Sequence, residues 1–183
     1  MDRIQVAVFV GSLRGESINL RLARAVEKLA PARFRFSQVR IDDLPLYSQE
    51  LDADYPPQCR RLKQEVQAAD ALLFVTPEYN RSIPGALKNA LDIGSRPWGA
   101  NSFGGKPAAM LGASPGAAGT AMAQQHLRSI LAYLDVALLA QPEVYIRFTD
   151  ELIASDGSIS SEETRRFLQQ FMDRFSAWIG QLS

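Results

Sequence analysis

An acid, a phenol, an amide and a guanidinium stand in a row at Glu78, Tyr79, Asn80 and Arg81. They follow Ala71–Thr76, a run apolar enough to be a buried strand. Pro77 and Pro84 bracket the row, and Gly85 and a helix-like pattern come after it. A loop stiffened by two prolines suits a platform for a flat ring, with the backbone of Glu78, Tyr79 and Asn80 bonding the ring's polar edge. Gly85 would let a ring or a backbone approach closely. The plainer alternative is a strand-to-helix loop whose Tyr79 covers the core. A second loop, GSLRGESIN from Gly11 to Asn19, lies between an apolar strand and a helix. It offers Ser12, Ser17 and Asn19 for hydrogen bonding and Arg14 for charge, beside the free N–H groups of a helix start, which suits a phosphate. It is neither a Walker A loop nor G-x-G-x-x-G, so ATP hydrolysis and the usual dinucleotide loop are disfavoured. Its plainer alternative is a polar loop with Ser17 or Asn19 as helix cap. A third loop, Ser114–Gly119 (SPGAAG), leaves room beside its amides and the Ser114 hydroxyl.

Side-chain catalysts are scarce. His126 is the single histidine and Cys59 the single cysteine. A histidine-built metal centre is excluded, as is an internal disulfide framework, and a Cys-His nucleophile pair requires the fold to join these two. No catalytic side chain and no metal ligand is therefore assigned, and a bound cofactor is expected to carry any chemistry. The 20 basic and 20 acidic residues cancel, which argues against a polyanionic partner such as nucleic acid. No apolar run approaches the roughly 20 residues of a membrane span, and MDRIQVAVFVGS reads as a first strand rather than a signal peptide. A cytoplasmic location is expected.

These loops need a frame. Strands are predicted at residues 4–10, 33–40, 71–76, 108–113 and 136–140, and helices at 19–29, 57–69, 84–93, 121–134 and 161–180. Pro84 occupies a favoured first-turn position. The last helix is expected to bury Phe167, Leu168, Phe171, Phe175 and Trp178, and residues 141–157 to be mostly loop. Alternating strands and helices within 183 residues, with near-continuously apolar strands, imply one α/β domain: a parallel sheet between two helical layers. Ligands bind such sheets beyond the carboxyl ends of the strands, where the three loops should converge.

GSLR-x-x-S-x-N after the first strand, PEYN-x-S-x-PG-x-LKNA-x-D after the third, and a small-residue loop before QQHLRSIL together resemble the NADPH-dependent FMN reductases. The chromate and quinone reductase branch is the nearest likeness, over roughly Ile4–Glu143. The resemblance implies a flavodoxin-like three-layer sandwich with a five-stranded parallel sheet in the order 2-1-3-4-5 and FMN at the switch point. It implies that Ser12, Leu13, Arg14, Ser17, Ile18 and Asn19 form the phosphate loop. Pro77, Glu78, Tyr79, Asn80 and Arg81 would line the isoalloxazine, and Ser114 would reach the flavin from the third loop. Arg81 could instead face a neighbouring subunit or a pyridine nucleotide phosphate. It further implies ping-pong transfer of two electrons from NADPH or NADH through FMN to quinones, azo dyes or chromate. A homodimer or homotetramer is expected, with the helix at 121–134 as a candidate interface. A flavodoxin-type electron carrier, a flavin-dependent sensor or partner protein, and a reductase supplying free flavin are the rival readings. Zero net charge argues against the carrier.

Overall fold

The computed structural model describes residues 3–182. Strand β1 (Ile4–Val10) leads to helix α1 (Ile18–Leu29) and strand β2 (Phe34–Gln38). A short 3-10 turn at Gln49–Ala53 precedes α2 (Pro57–Ala68), followed by β3 (Ala71–Val75), α3 (Gly85–Gly94), β4 (Pro107–Ser114) and α4 (Ala121–Tyr133). The chain closes with β5 (Ala137–Leu138), β6 (Tyr145–Arg147) and α5 (Glu162–Leu182).

The sheet runs β2-β1-β3-β4-β5 with every pairing parallel, the flavodoxin-like order. The unbroken apolar runs of β1, β3 and β4 are explained by burial on both faces. Val6, Val8 and Val10 of β1, with Leu73, Val75 and Leu111, pack under α1 and α5. Ala7 and Phe9, with Leu72, Phe74 and Met110, pack under α2, α3 and α4. Phe9 and Phe74 stack with centroids 5.1 Å apart, in contact with Phe103. Along a strand the side chains alternate between faces, so a strand covered on both sides must be apolar at every position.

Two elements differ from the sequence reading. Strand β4 is longer than its neighbours, and its outer edge is shared: β5 pairs with Pro107 and Ala108, while β6 pairs with Gly112, Ala113 and Ser114. β6 falls within the stretch expected to be loop. The reason is its length: three residues are too few to show a period. In α5 the buried set is Leu168, Phe171, Met172, Phe175 and Ile179, whereas Phe167 and Trp178 are only partly buried at its margin. Trp178 turns its indole Nε1–H to the Ala137 carbonyl, 2.7 Å away, which draws the ring off the core.

Candidate functional site

The three loops leave the carboxyl ends of β1, β3 and β4, which are adjacent in the sheet, and they meet on one rim. Gly11 sits where the first two loops nearly touch. A Cβ there would lie 3.0 Å from Thr76 Oγ1 and 3.2 Å from Pro77 Cδ, so a larger residue would push the loops apart. Beyond it, Leu13 is 55% exposed and Arg14 is exposed with no ion pair among the described residues. Ser12 Oγ accepts a weak bond from the Arg14 N–H at 3.4 Å, which curls the loop tip. Ser17 is the N-cap of α1, its hydroxyl accepting from Leu20 N at 3.2 Å. The backbone N–H groups of Ile18 and Asn19 in that first turn make no hydrogen bond among the described residues. Free amides, a helix start and an unpaired guanidinium on one curve are the donor set a phosphate monoester requires.

Asn19 has a different place from the one expected of it. Its side chain is 1% exposed and fully engaged: Nδ2 donates to Ala113 O at 3.0 Å and Oδ1 accepts from Ala113 N at 2.9 Å. The need for it follows from the strand lengths. The ladder between β3 and β4 ends with Thr76 N donating to Leu111 O, so Ala113 faces the same way with no strand opposite. The Asn19 amide supplies the missing peptide group and fastens α1, which follows the first loop, to the base of the third loop. Its side chain is thereby occupied by Ala113, while its backbone N–H makes no hydrogen bond among the described residues.

The second loop is tightly wound. Tyr79 and Ser82 exchange backbone hydrogen bonds at 2.9 and 3.0 Å, closing a turn whose central residues, Asn80 and Arg81, have φ of 51° and 65°. Two consecutive positive φ values mark a type I′ turn, which glycine or asparagine favours and arginine does not. Pro77 is buried, Tyr79 is 46% exposed, and the Asn80 side chain and the Asn80 and Arg81 N–H groups are unpartnered among the described residues. Glu78 turns inward: its Oε2 accepts from both Met122 N and Ala123 N at 3.1 Å, and Oε1 lies 3.6 Å from Arg81 Nη1. It therefore caps α4, whose N-cap residue Thr120 makes no side-chain capping bond of its own. A cleft of about 370 Å³, lined by Gly11, Leu13, Arg14, Tyr79, Pro84, Gly85 and Ala86, joins the first loop to the second.

In the third loop Ser114 Oγ accepts from Gly116 N at 3.1 Å, holding the loop open with small residues exposed. Its base is close-packed. A Cβ at Gly112 would overlap Thr120 Oγ1 and the Thr76 carbonyl oxygen, and one at Gly119, where φ is 58°, would meet the Tyr145 backbone. Burial raises the Tyr145 phenol above its ordinary pKa, and a hydrogen bond to Glu143 adds to the effect. The sequence reading passed over Gly112, although a lone glycine inside an apolar strand is the usual sign of such a close approach. It also passed over Thr120 and Gln124, buried residues that bond each other at 2.8 Å beneath the loop.

His126 is not near Cys59. The thiol is buried under α2, whereas His126 is exposed on α4 with Nδ1 2.9 Å from Ser82 Oγ. No cluster of metal-ligating residues occurs among the described residues.

The model of the family described as NADPH-dependent FMN reductase matches residues 4–151. The chain belongs to that family. A reductase of this family thus presents the three loops just described. Among its curated relatives, the 2-hydroxy-1,4-benzoquinone reductase of Burkholderia sp. is 55% identical over 176 residues, 96% of each chain. A quinone reductase of Pseudomonas putida is 47% identical over 175 residues, 95% of this chain and 94% of its own. Among solved structures, the flavoenzyme NAD(P)H:(acceptor) oxidoreductase FerB of Paracoccus denitrificans superposes with a TM-score of 0.94 at 47% identity, covering 97% and 98% of the two chains. The family's FMN fits the donor set of the rim: free amides and Arg14 for its phosphate, and an open, partly apolar shelf for its ring.

Proposed function

We propose that this reductase carries two electrons from NADPH or NADH to a quinone, with FMN held on the three-loop rim. The single observation that carries the reading is the first loop, where Arg14 and the free N–H groups of Ile18 and Asn19 surround the start of α1. Bound FMN supplies the two-electron relay between nicotinamide and acceptor. The chain's own groups bind and orient. Arg14 and the α1 amides hold the phosphate, with Ser12 and Ser17 shaping the loop and Leu13 and Ile18 flanking it. Pro77 and Tyr79 stiffen the shelf, the N–H groups of Asn80 and Arg81 meet the ring's polar edge, and Ser114 closes the third side. Glu78 and Asn19 act from behind this surface, through α4 and through Ala113. Arg81, 71% exposed at the side chain, is the candidate contact for a nicotinamide dinucleotide phosphate.

The chain is proposed to work as a homodimer or homotetramer. Between α3 and α4 runs a groove of about 690 Å³ whose apolar wall is Trp98, Ile130, Tyr133 and Leu134 and whose margin carries Lys88, Asp92 and Arg96; Trp98 is 78% and Tyr133 75% exposed. It is continuous, through Lys88, Ser129 and Ile130, with a second hollow that reaches Ser82 and Gly85 at the rim. A second copy seated there would bury the aromatic rings and wall the flavin shelf.

The test is a visible spectrum of the purified protein followed by anaerobic NADPH, then by a benzoquinone, in one cuvette. Flavin bands that bleach on NADPH and return on quinone are expected. Flavin bands that NADPH leaves untouched would replace the reductase with a carrier or sensor. A protein that gains no bands when FMN is supplied would overturn the site.

A further inference from the structure

The Asn80–Arg81 turn adopts a backbone that costs conformational energy for residues with side chains, so its surroundings must hold it. Both ends of the turn are tied to the same helix. On the entering side, Glu78 Oε2 accepts from Met122 N and Ala123 N, each at 3.1 Å. On the leaving side, Ser82 Oγ lies 2.9 Å from His126 Nδ1, one helical turn further along α4. Both ties span more than 40 residues of chain, 44 and 45 for Glu78 and 44 for Ser82, so neither belongs to the loop's own geometry. Glu78 is also the only side chain that caps α4 among the described residues.

We infer that Glu78 and His126 are positioning residues: together they make helix α4, rather than the loop, the part that sets the Asn80–Arg81 turn against the flavin's edge. The inference rests on the proposal that the flavin ring lies along that turn. A carboxylate on two N–H groups at a helix start is a charge-assisted cap, stronger and more directional than a neutral one. Its replacement by an amide weakens the entering tie while keeping the side chain's shape. The third loop ends where α4 begins, so any shift of the cap is felt by both flavin-facing loops at once.

The experiment compares Glu78→Gln, Ser82→Ala and His126→Ala with the wild type in two readouts: FMN affinity by titration of the apoprotein, and the midpoint potential of bound FMN. Contacts at the ring edge discriminate between oxidised and reduced flavin, whereas contacts at the phosphate do not. Glu78→Gln is expected to weaken FMN at least about tenfold and to move the potential. Ser82→Ala, which removes no charge, is expected to move the potential in the same direction by a smaller amount. Arg14→Ala is the reference: it should weaken FMN and leave the potential in place. An unchanged potential in both Glu78→Gln and Ser82→Ala overturns the inference, whatever happens to affinity. If Glu78→Gln does not fold, Ser82→Ala and His126→Ala decide on the same criterion. Wild-type FMN affinity in Arg14→Ala would overturn the flavin-site reading itself, which a silent Glu78→Gln beside a weakened Arg14→Ala would not.

Discussion

Replacing Asn19 by alanine separates a structural clamp from a phosphate contact. The side chain is 1% exposed and pairs both backbone groups of Ala113. Asn19→Ala leaves a buried donor and a buried acceptor unpaired, at about 1–3 kcal/mol each, so the loss centres on roughly 4 kcal/mol. A domain of this size loses about 2–4 °C of melting midpoint per kcal/mol, which gives a fall of roughly 8–16 °C. Asn19→Asp should be comparably damaging at neutral pH: it keeps the acceptor for Ala113 N but sets a second oxygen against Ala113 O. The assay is thermal unfolding of the apoprotein followed by circular dichroism, with FMN titration below the midpoint. The clamp predicts a large loss of stability in the absence of flavin. An apoprotein midpoint within about 2 °C of wild type, together with tenfold weaker FMN, would refute it and return Asn19 to the phosphate.

Other expectations rest on separate features. Arg14→Ala should weaken FMN by about 10- to 100-fold through one lost charge-assisted contact and leave the apoprotein's stability unchanged, as the two titrations will show. Tyr133→Glu replaces an exposed aromatic ring of the α3–α4 groove by a charge and should shift the protein toward monomer in sedimentation velocity, while a wild type already monomeric at working concentration would end the assembly proposal. Asp156 is held down to about 2, first by the Ser158 N–H and hydroxyl and then by Lys28 of α1, with which it forms an exposed ion pair at 3.1 Å. A depressed carboxylate contributes stability above its unfolded pKa of about 3.9 and loses it as pH falls through the folded value. The midpoint difference between wild type and Asp156→Asn should therefore be constant at neutral pH, shrink as pH falls below about 4, and vanish only once pH is below the folded value of about 2.

The sequence made the frame readable because the frame depends on local pattern. β1, β3 and β4 announce themselves as apolar runs with the length of a strand, and Pro84 marks the start of α3. What it could not show depends on distance. In the sequence Asn19 and Glu78 are polar residues in segments that follow strand ends, and such residues read as ligand contacts. Their partners, Ala113 and the first turn of α4, lie 94 and 44 residues away, and no local spacing encodes them. β6 escaped because it borrows its register from the far half of β4 and has no pattern of its own. Gly112 was legible in principle, since a glycine inside an apolar strand asks what lies against it.

The way β4 shares its outer edge also bears on what the protein does at high concentration. A long, flat strand edge is a template for another chain, and α/β proteins carry two such edges. Here one edge consists of two fragments, two and three residues long, and neither is long enough to nucleate pairing with a stranger. The opposite edge, β2, has five residues and exposes Arg35, Ser37 and Gln38. The strands apolar enough to seed fibrils, ALLFV above all, are enclosed between them. The topology thus leaves no long apolar strand edge among the described residues open to pairing with another chain.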